Sequence, residues 1–225
     1  MPKLFTLAAL SGLLISTLGV AAPFQAQVRD QQGQPVLGAV LTLQGPAGKG
    51  SATPRADMDQ RDKEFAPHVL AVHTGTRVTF PNSDNIRHQV YSFSPTKRFE
   101  LRLYEGTPTD PLLFDKAGIV VLGCNIHDWM LGYIYVTDDP WFAVSDASGQ
   151  IKFADLPAGR YSVTLWHPQS ADMATLSGGE LVVADAPQEK SYSLTLEPLA
   201  SDAPSAPAPS AFGDAFGKAL RETEK

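Results

Sequence analysis

The chain has 225 residues, a formal net charge of −6 at pH 7, 43% hydrophobic residues and one cysteine. That length allows one large or two small domains. The acidic balance argues against nucleic acid and anionic lipid surfaces as partners, and a lone cysteine excludes an internal disulfide framework.

The chain opens MPKLFTLAALSGLLISTLGVAAPFQAQ, with Lys3, an apolar run from Leu4 to Val20, and the small residues Ala21 and Ala22. This pattern predicts a cleavable export signal over residues 1–22. The run has no charged flank on its far side and no cysteine at the cut, so neither a membrane stop nor a lipid anchor is expected. Loss of Lys3 takes the net charge from −6 to −7. No other apolar stretch is long enough to span a bilayer, so the mature chain is expected to be periplasmic, with no membrane contact after signal removal.

From Ala26 to Pro198 short alternating or β-branched runs are broken by Gly, Pro, Asn and Asp: VLGAVLTLQG, HVLAVHTGTRVTF, GIVVLGC, LGYIYV, GQIKFADL, GRYSVTLW, SYSLTLEP. Their length and spacing predict an all-β, antiparallel sandwich architecture with no amphipathic helix in the core. Residues 199–225 begin with an Ala/Pro/Ser run that cannot build a core and predicts a flexible tail. Its last stretch, AFGDAFGKALRETEK, leaves a docking helix and a disordered end both open.

Chemistry concentrates in 121-VLGCNIHDWMLGYIYV-136. An exposed free thiol is a liability in an oxidising compartment, so Cys124 is either a buried structural thiol or a ligand. If 118-GIVVLGC-124 ends one strand and 131-LGYIYV-136 begins the next, Cys124, His127 and Met130 share the connecting loop. A further ligand must come from elsewhere. His88 stands at the exit of a polar turn in 78-VTFPNSDNIRHQVYSF-93. One thiolate, two imidazoles and a weak thioether suit copper; zinc would want a fourth strong ligand. His88, Cys124, His127 and Met130 are therefore the candidate metal ligands, with one type 1 copper ion as the expected cofactor.

These residues also resemble a family. The segment from Glu64 to Val136 looks like a cupredoxin: EFAPHVLAVHTGTRVTFPN is similar to its opening strands, RHQV stands at the first ligand histidine, and CNIHDWM resembles the short ligand loop of amicyanin. FPNSDNIRHQVYSFSPTKRFELRLYEGTP followed by LGCNIHDWMLGYIYV resembles the cupredoxin-like proteins labelled methylamine utilization proteins. The resemblance implies a Greek-key sandwich, the same four ligands, and electron passage through a partly exposed ligand-loop histidine. Asp128 stands where amicyanin-like loops favour Pro, and Trp129 is bulky beside Met130; a carboxylate beside the metal would favour Cu(II) and lower the potential, although a solvated one would act only weakly.

Around this segment, 26-AQVRDQQGQPVLGAVLTLQG-45 and 143-AVSDASGQIKFADLPAGRYSVTLWHP-168 resemble two parts of a carboxypeptidase-regulatory-like, transthyretin-related sandwich. The expected organisation is first sandwich strands over 23–50, an inserted copper domain over 62–139, and the rest of a small Ig/transthyretin-like sandwich over 140–198, with linkers near 46–61 and 138–142. The alternative is that residues 26–45 begin the copper domain's own sheet. His68 and His73, five apart, are read as surface or edge residues, and His167 as a second, weaker site at most. No catalytic signature is present, so no enzyme is expected. The function expected is single-electron carriage between periplasmic partners such as a cytochrome or dehydrogenase, with Leu122, Trp129, Met130 and Leu131 as an apolar rim. A copper carrier and a metal-free scaffold remain the other two readings.

Overall fold

A computed structural model of the chain describes residues 22–46, 54–108, 110–184 and 186–198. The expected signal up to Ala21 and the tail over 199–225 lie outside the described residues. The all-β expectation holds: the described residues form seventeen strands and a single three-residue 3-10 turn. Among them, no helix is long and apolar enough to cross a membrane.

The first strands are β1 (Ala22–Asp30) and β2 (Val40–Gln44). Ala22, the last residue of the expected signal, is thus the first of a paired strand. The middle of the chain supplies β3 (Arg55–Asp57), β4 (Asp59–Arg61), β5 (Glu64–Ala66), β6 (Val69–His73), β7 (Thr76–Thr79), β8 (His88–Ser92), β9 (Phe99–Tyr104), β10 (Leu112–Phe114), β11 (Gly118–Gly123) and β12 (Leu131–Thr137). The last strands are β13 (Trp141–Val144), β14 (Gln150–Leu156), β15 (Gly159–Trp166), β16 (Leu176–Val183) and β17 (Gln188–Leu194).

Strand pairing joins the two ends of the described chain. The sheets β14-β1-β17 and β13-β2-β15-β16 mix the first two strands with the last five. Alternation along β1 turns Phe24, Ala26 and Val28 inward, where they meet Leu41 and Leu43 of β2, Phe153 of β14, Val163 and Leu165 of β15, and Leu194 of β17 in one apolar core. Residues 26–45 therefore belong to this sheet pair and not to the sheet that carries Cys124. The chain leaves the pair after β2 and returns at β13, which lies antiparallel beside β2 with Thr42 opposite Phe142.

The middle strands form a five-stranded sheet, β6-β12-β11-β8-β9, a three-stranded sheet, β10-β7-β3, and the β4-β5 hairpin. Residues 55–61, expected within a linker, instead pair: β3 runs parallel to β7, and β4 antiparallel to β5. Met58 and Gln60 there are fully buried. The core of this unit gathers Met58, Phe65, Val78, Phe80, Val90, Phe114, Val120, Leu122 and Ile134 with Cys124 and Met130.

Strand β12 is apolar on both faces, and the alternation of side chains explains why. Ile134 and Val136 point into the core just named, whereas Tyr133 and Tyr135 point the other way and pack on Trp166 of β15, at ring-centroid distances of 5.9 and 5.4 Å. Val69 and Val40 complete this smaller cluster, which seats one unit on the other.

Candidate metal centre

Strands β8 and β11 are antiparallel neighbours, Gly123 lying opposite Tyr91, so the start of β8 and the end of β11 emerge at the same edge of the sheet. His88 is the first residue of β8, and Cys124 follows the last residue of β11. Gly123 at the junction lets the Tyr91 ring pass close by, since a Cβ there would lie 2.7 Å from it and push the ring aside. The loop then turns back through a hydrogen bond from Met130 N–H to the His127 carbonyl, 2.9 Å, with Asp128 and Trp129 at the bend.

Three of the four expected ligands converge. The Nδ1 atoms of His88 and His127 lie 3.9 and 4.0 Å from Cys124 Sγ, and all three donor atoms lie within 4.8 Å of one another. The fourth, Met130, is buried in the same core cluster as Cys124. A first-row ion about 2.1 Å from nitrogen and about 2.3 Å from sulfur would hold N and S roughly 3.6–3.8 Å apart, so the spacing fits a shared ion after slight contraction. Among the described residues this is the one group of His, Cys, Asp and Glu side chains so arranged.

The polarity of each imidazole is set by its surroundings. His88 is fully buried, and its Nε2 lies 2.7 Å from Asp84 Oδ2. With Nε2–H donating to that carboxylate, the bare Nδ1 lone pair faces Cys124, which is the tautomer a ligand needs. Asp84 is itself fixed by the backbone N–H groups of Asp62 and Lys63, at 2.7 and 3.0 Å. Both of those residues have positive φ, 56° and 61°, as the two central positions of a tight hairpin turn between β4 and β5 require. Burial works to raise the Asp84 carboxyl pKa, but the hydrogen bonds from His88, Lys63 and Asp62 outweigh it and hold the group below its ordinary value.

Asn82 shapes the turn that presents His88. Its Oδ1 accepts the Asp84 N–H at 3.1 Å, and its Nδ2 donates to the carbonyls of Ile86 and Tyr104 at 2.8 and 3.0 Å. Neither Asn82 nor Asp84 was among the residues singled out from the sequence. The available signal was Asn and Asp together in a polar turn just ahead of a candidate ligand histidine.

His127 is half-buried, and its ring lies between those of His88 and Trp129, with centroids 5.0 and 5.1 Å away. Desolvation, aided by His88 and Lys63, lowers its pKa against the opposing pull of Asp84, so the ring is neutral and competent as a ligand at neutral pH. The Trp129 indole N–H beside it is buried without a hydrogen-bond partner. Asp128 is exposed.

Two expectations are corrected. Leu122 and Met130 are core residues, 0% and 1% exposed, because the inward face of β11 and the turn carry them under the loop; they form no rim. The exposed apolar side chains near this edge are Phe93, Ile126 and Leu131. His167 has no free lone pair for a second metal site. Its Nδ1 accepts the Gln169 N–H at 3.2 Å, which obliges Nε2–H to donate to the Leu37 carbonyl at 3.1 Å. His73 is half-buried with Nδ1 against the Thr74 carbonyl, 3.0 Å, and His68 is exposed and packs edge-on to Tyr133.

No protein-family model matches the chain, and no curated protein matches it. Solved structures similar to part of it include a purple cupredoxin from Nitrosopumilus maritimus, at 21% identity, covering 36% of this chain and 99% of that one with a TM-score of 0.33. The oxidised form of an amicyanin variant is 18% identical and covers 43% of this chain and 99% of that one, with a TM-score of 0.34. Pseudoazurin from Hyphomicrobium denitrificans is 21% identical and covers 36% of this chain and 74% of that one, with a TM-score of 0.32. The case for a metal rests on the donor atoms and their spacing.

Proposed function

We propose that the chain is an exported, single-site type 1 copper protein that carries electrons one at a time between redox partners, and not an enzyme. The observation that carries this reading is a buried thiol with two imidazole Nδ1 atoms at 3.9 and 4.0 Å. A soft thiolate with two imidazoles and a buried thioether selects copper among the common metals. When bound, the ion supplies a one-electron couple. Cys124, His88, His127 and Met130 would hold it, the Met130 thioether as the weakest donor. The chain's own part is to hold those donors still. Asp84 fixes the His88 ring, the 127–130 turn fixes His127, and close packing in the core restrains the two sulfur-bearing side chains. A donor set held by a rigid sheet rearranges little between oxidation states.

His127 is the ligand nearest solvent, so it is the expected route for the electron. Phe93, Ile126 and Leu131 offer the exposed apolar surface for a brief encounter with a cytochrome or dehydrogenase, of the small interface type common in redox pairs. The surrounding sandwich acts as a scaffold into which the copper unit is inserted, a reading supported by the adjacency of β2 and β13 where the chain departs and returns.

The test is to strip the expressed chain of metal, add Cu(II), and record visible absorption and electron paramagnetic resonance spectra. An intense thiolate charge-transfer band with narrow copper hyperfine splitting is expected. A pale, tetragonal Cu(II) spectrum would move the function to copper delivery, and absence of binding to a metal-free scaffold.

A further inference from the structure

A cleft of about 710 Å³ runs between the two units. That volume lies within the roughly 300–1,000 Å³ usual for small-molecule sites. One wall is the outward face of β6 and β12, where Val69, Ala71 and Tyr133 stand; the opposite wall is built by Leu37, Val144 and His167 of the sandwich. Trp129 and Leu131 of the ligand loop close one side.

The chemistry of the walls restricts what can enter. No Asp, Glu, Lys or Arg lines the cleft, so a charged ligand would be desolvated with no counter-charge to receive it. Apart from the Trp129 indole N–H, an unpaired donor that a ligand oxygen could accept from, most side-chain polar groups are already committed. Ser145 Oγ donates to the Val36 carbonyl at 2.6 Å and accepts the Ala39 N–H at 2.8 Å. Both His167 nitrogens are used, and Gln169 Nε2 donates to the Glu197 carbonyl at 3.1 Å.

His68 differs. Its ring stands edge-on to Tyr133, with centroids 5.3 Å apart and planes at 77°. No side-chain hydrogen bond of His68 is described, so its ring nitrogens are open to a ligand. Desolvation lowers the pKa of His68 from its ordinary value against the opposing influence of Glu64 and the Leu131 carbonyl, and a neutral imidazole offers one acceptor nitrogen. Aromatic surface is supplied by Tyr133 and Trp129, and aliphatic surface by Val69, Ala71, Leu37 and Val144.

We propose that this cleft is a binding site for a neutral aromatic small molecule bearing one hydroxyl, its ring between the apolar walls and its O–H donated to His68. A charged ring is excluded by the absence of a counter-ion, and an aromatic hydrocarbon would make no use of the imidazole acceptor. Trp129 belongs both to the cleft and to the His127 stack, so the bound ring lies one side chain from the metal loop.

The experiment uses the full, metal-free chain, so its outcome is independent of the copper reading. Calorimetric titrations with 1-naphthol, 1-methoxynaphthalene and 1-naphthoate compare a donor, a ring without a donor, and an anion. Saturable one-to-one binding of 1-naphthol is expected, about tenfold tighter than 1-methoxynaphthalene, with no uptake of 1-naphthoate. His68→Phe should bring 1-naphthol down to the level of 1-methoxynaphthalene. Leu37 is 63% exposed, so Leu37→Trp should obstruct the cleft and abolish binding of both with the melting temperature unchanged. Absence of saturable 1-naphthol binding overturns the proposal, as does equal binding of all three probes. Binding that survives Leu37→Trp in a folded chain also overturns it.

Discussion

The two units bury different things. The core of the sandwich formed by β1, β2 and β13 to β17 is hydrocarbon with two tyrosines, the Tyr161 hydroxyl donating to the Pro157 carbonyl at 2.6 Å, and the polar side chains the sandwich also buries, Thr42, Ser145, His167 and Ser170 among them, form no cluster of metal donors. The middle unit buries a thiol, a thioether, His88, Gln60 and Asn82 together with its aliphatic and aromatic residues. The first core can only stabilise. The second also spends burial on holding donor atoms, and its polar members lean on their neighbours, with Gln60 Oε1 left buried and unpaired. Asn82 meets three backbone groups of the 82–106 region, Gln60 Nε2 meets the Pro81 carbonyl and the Tyr104 hydroxyl, and His88 meets Asp84.

The sharpest way to break that contrast is a pair of substitutions, one in each core. Leu41→Ala in the sandwich removes a fully buried side chain and should cost about 2–5 kcal/mol. Its copper spectrum should be unchanged wherever the variant remains folded. Cys124→Ser should do the reverse, abolishing the thiolate charge-transfer band while altering stability by about 1 kcal/mol. Denaturant melts and absorption spectra on both variants check the pair. A variant at Cys124 that kept its colour would remove that residue from the ligand set.

The next largest effect tests the polar support in the second core. Asp84→Ala deletes the acceptor that fixes the His88 ring, and metal affinity should fall about 10–100-fold. Asp84→Asn retains a side-chain carbonyl that can accept from Nε2–H and should recover part of the loss. Competition titrations with a chelator of known strength measure both. Equal affinity in all three proteins would reduce Asp84 to a turn residue.

Much of this arrangement was legible in the sequence, and the rest was hidden for physical reasons. The β class followed from short alternating runs. The loop carrying Cys124 and His127, and the placement of His88 at a turn exit, followed from punctuation by Asn, Asp and Gly. Asp84 was hidden because its role depends on the Asp62–Lys63 turn, about twenty residues earlier in the chain. The cleft was hidden because its walls come from distant stretches, although LGYIYV, apolar on successive residues, carried the hint that β12 is covered on both faces. Strands β3 and β4 escaped notice although RADMDQR alternates charged residues with Ala56, Met58 and Gln60, its buried side; only two of those three are apolar, and four charges in seven residues read as a solvated linker.

Packing between strands and hairpin gives a third, smaller test. Gly132 on β12 lies under Phe65 of β5, and a Cβ there would come within 2.7 Å of the Phe65 Cβ. That contact involves the base of the side chain, which cannot swing away. Gly132→Ala should therefore destabilise the metal-site unit by about 1–3 kcal/mol. Phe65→Gly in the same chain removes that Cβ and should relieve the clash, so the two substitutions should cost less together than the sum of their single costs. Additivity within error in a double-mutant cycle would show that the glycine is not required by this contact.

The smallest expected effect concerns the sandwich's own histidine and has a definite sign. Desolvation by burial pushes the His167 pKa below its ordinary value of 6.5, with His68 adding to the depression and the Leu37 carbonyl opposing it. The unfolded chain takes up a proton as pH falls through 6.5, while the folded ring resists until the lower folded pKa is reached. In that interval the unfolded state binds more protons, so stability rises with pH and is lost on acidification. His167→Gln can keep both hydrogen bonds, its Nε2 donating to Leu37 and its Oε1 accepting from Gln169, while removing the titration. Urea melts between pH 7 and pH 5 should show a shallower loss of stability in the variant. His68, whose pKa is also lowered, leaves a residual slope in both proteins, and the melts are run without metal. Identical slopes would mean that His167 is protonated in the folded chain, which its two committed nitrogens do not allow.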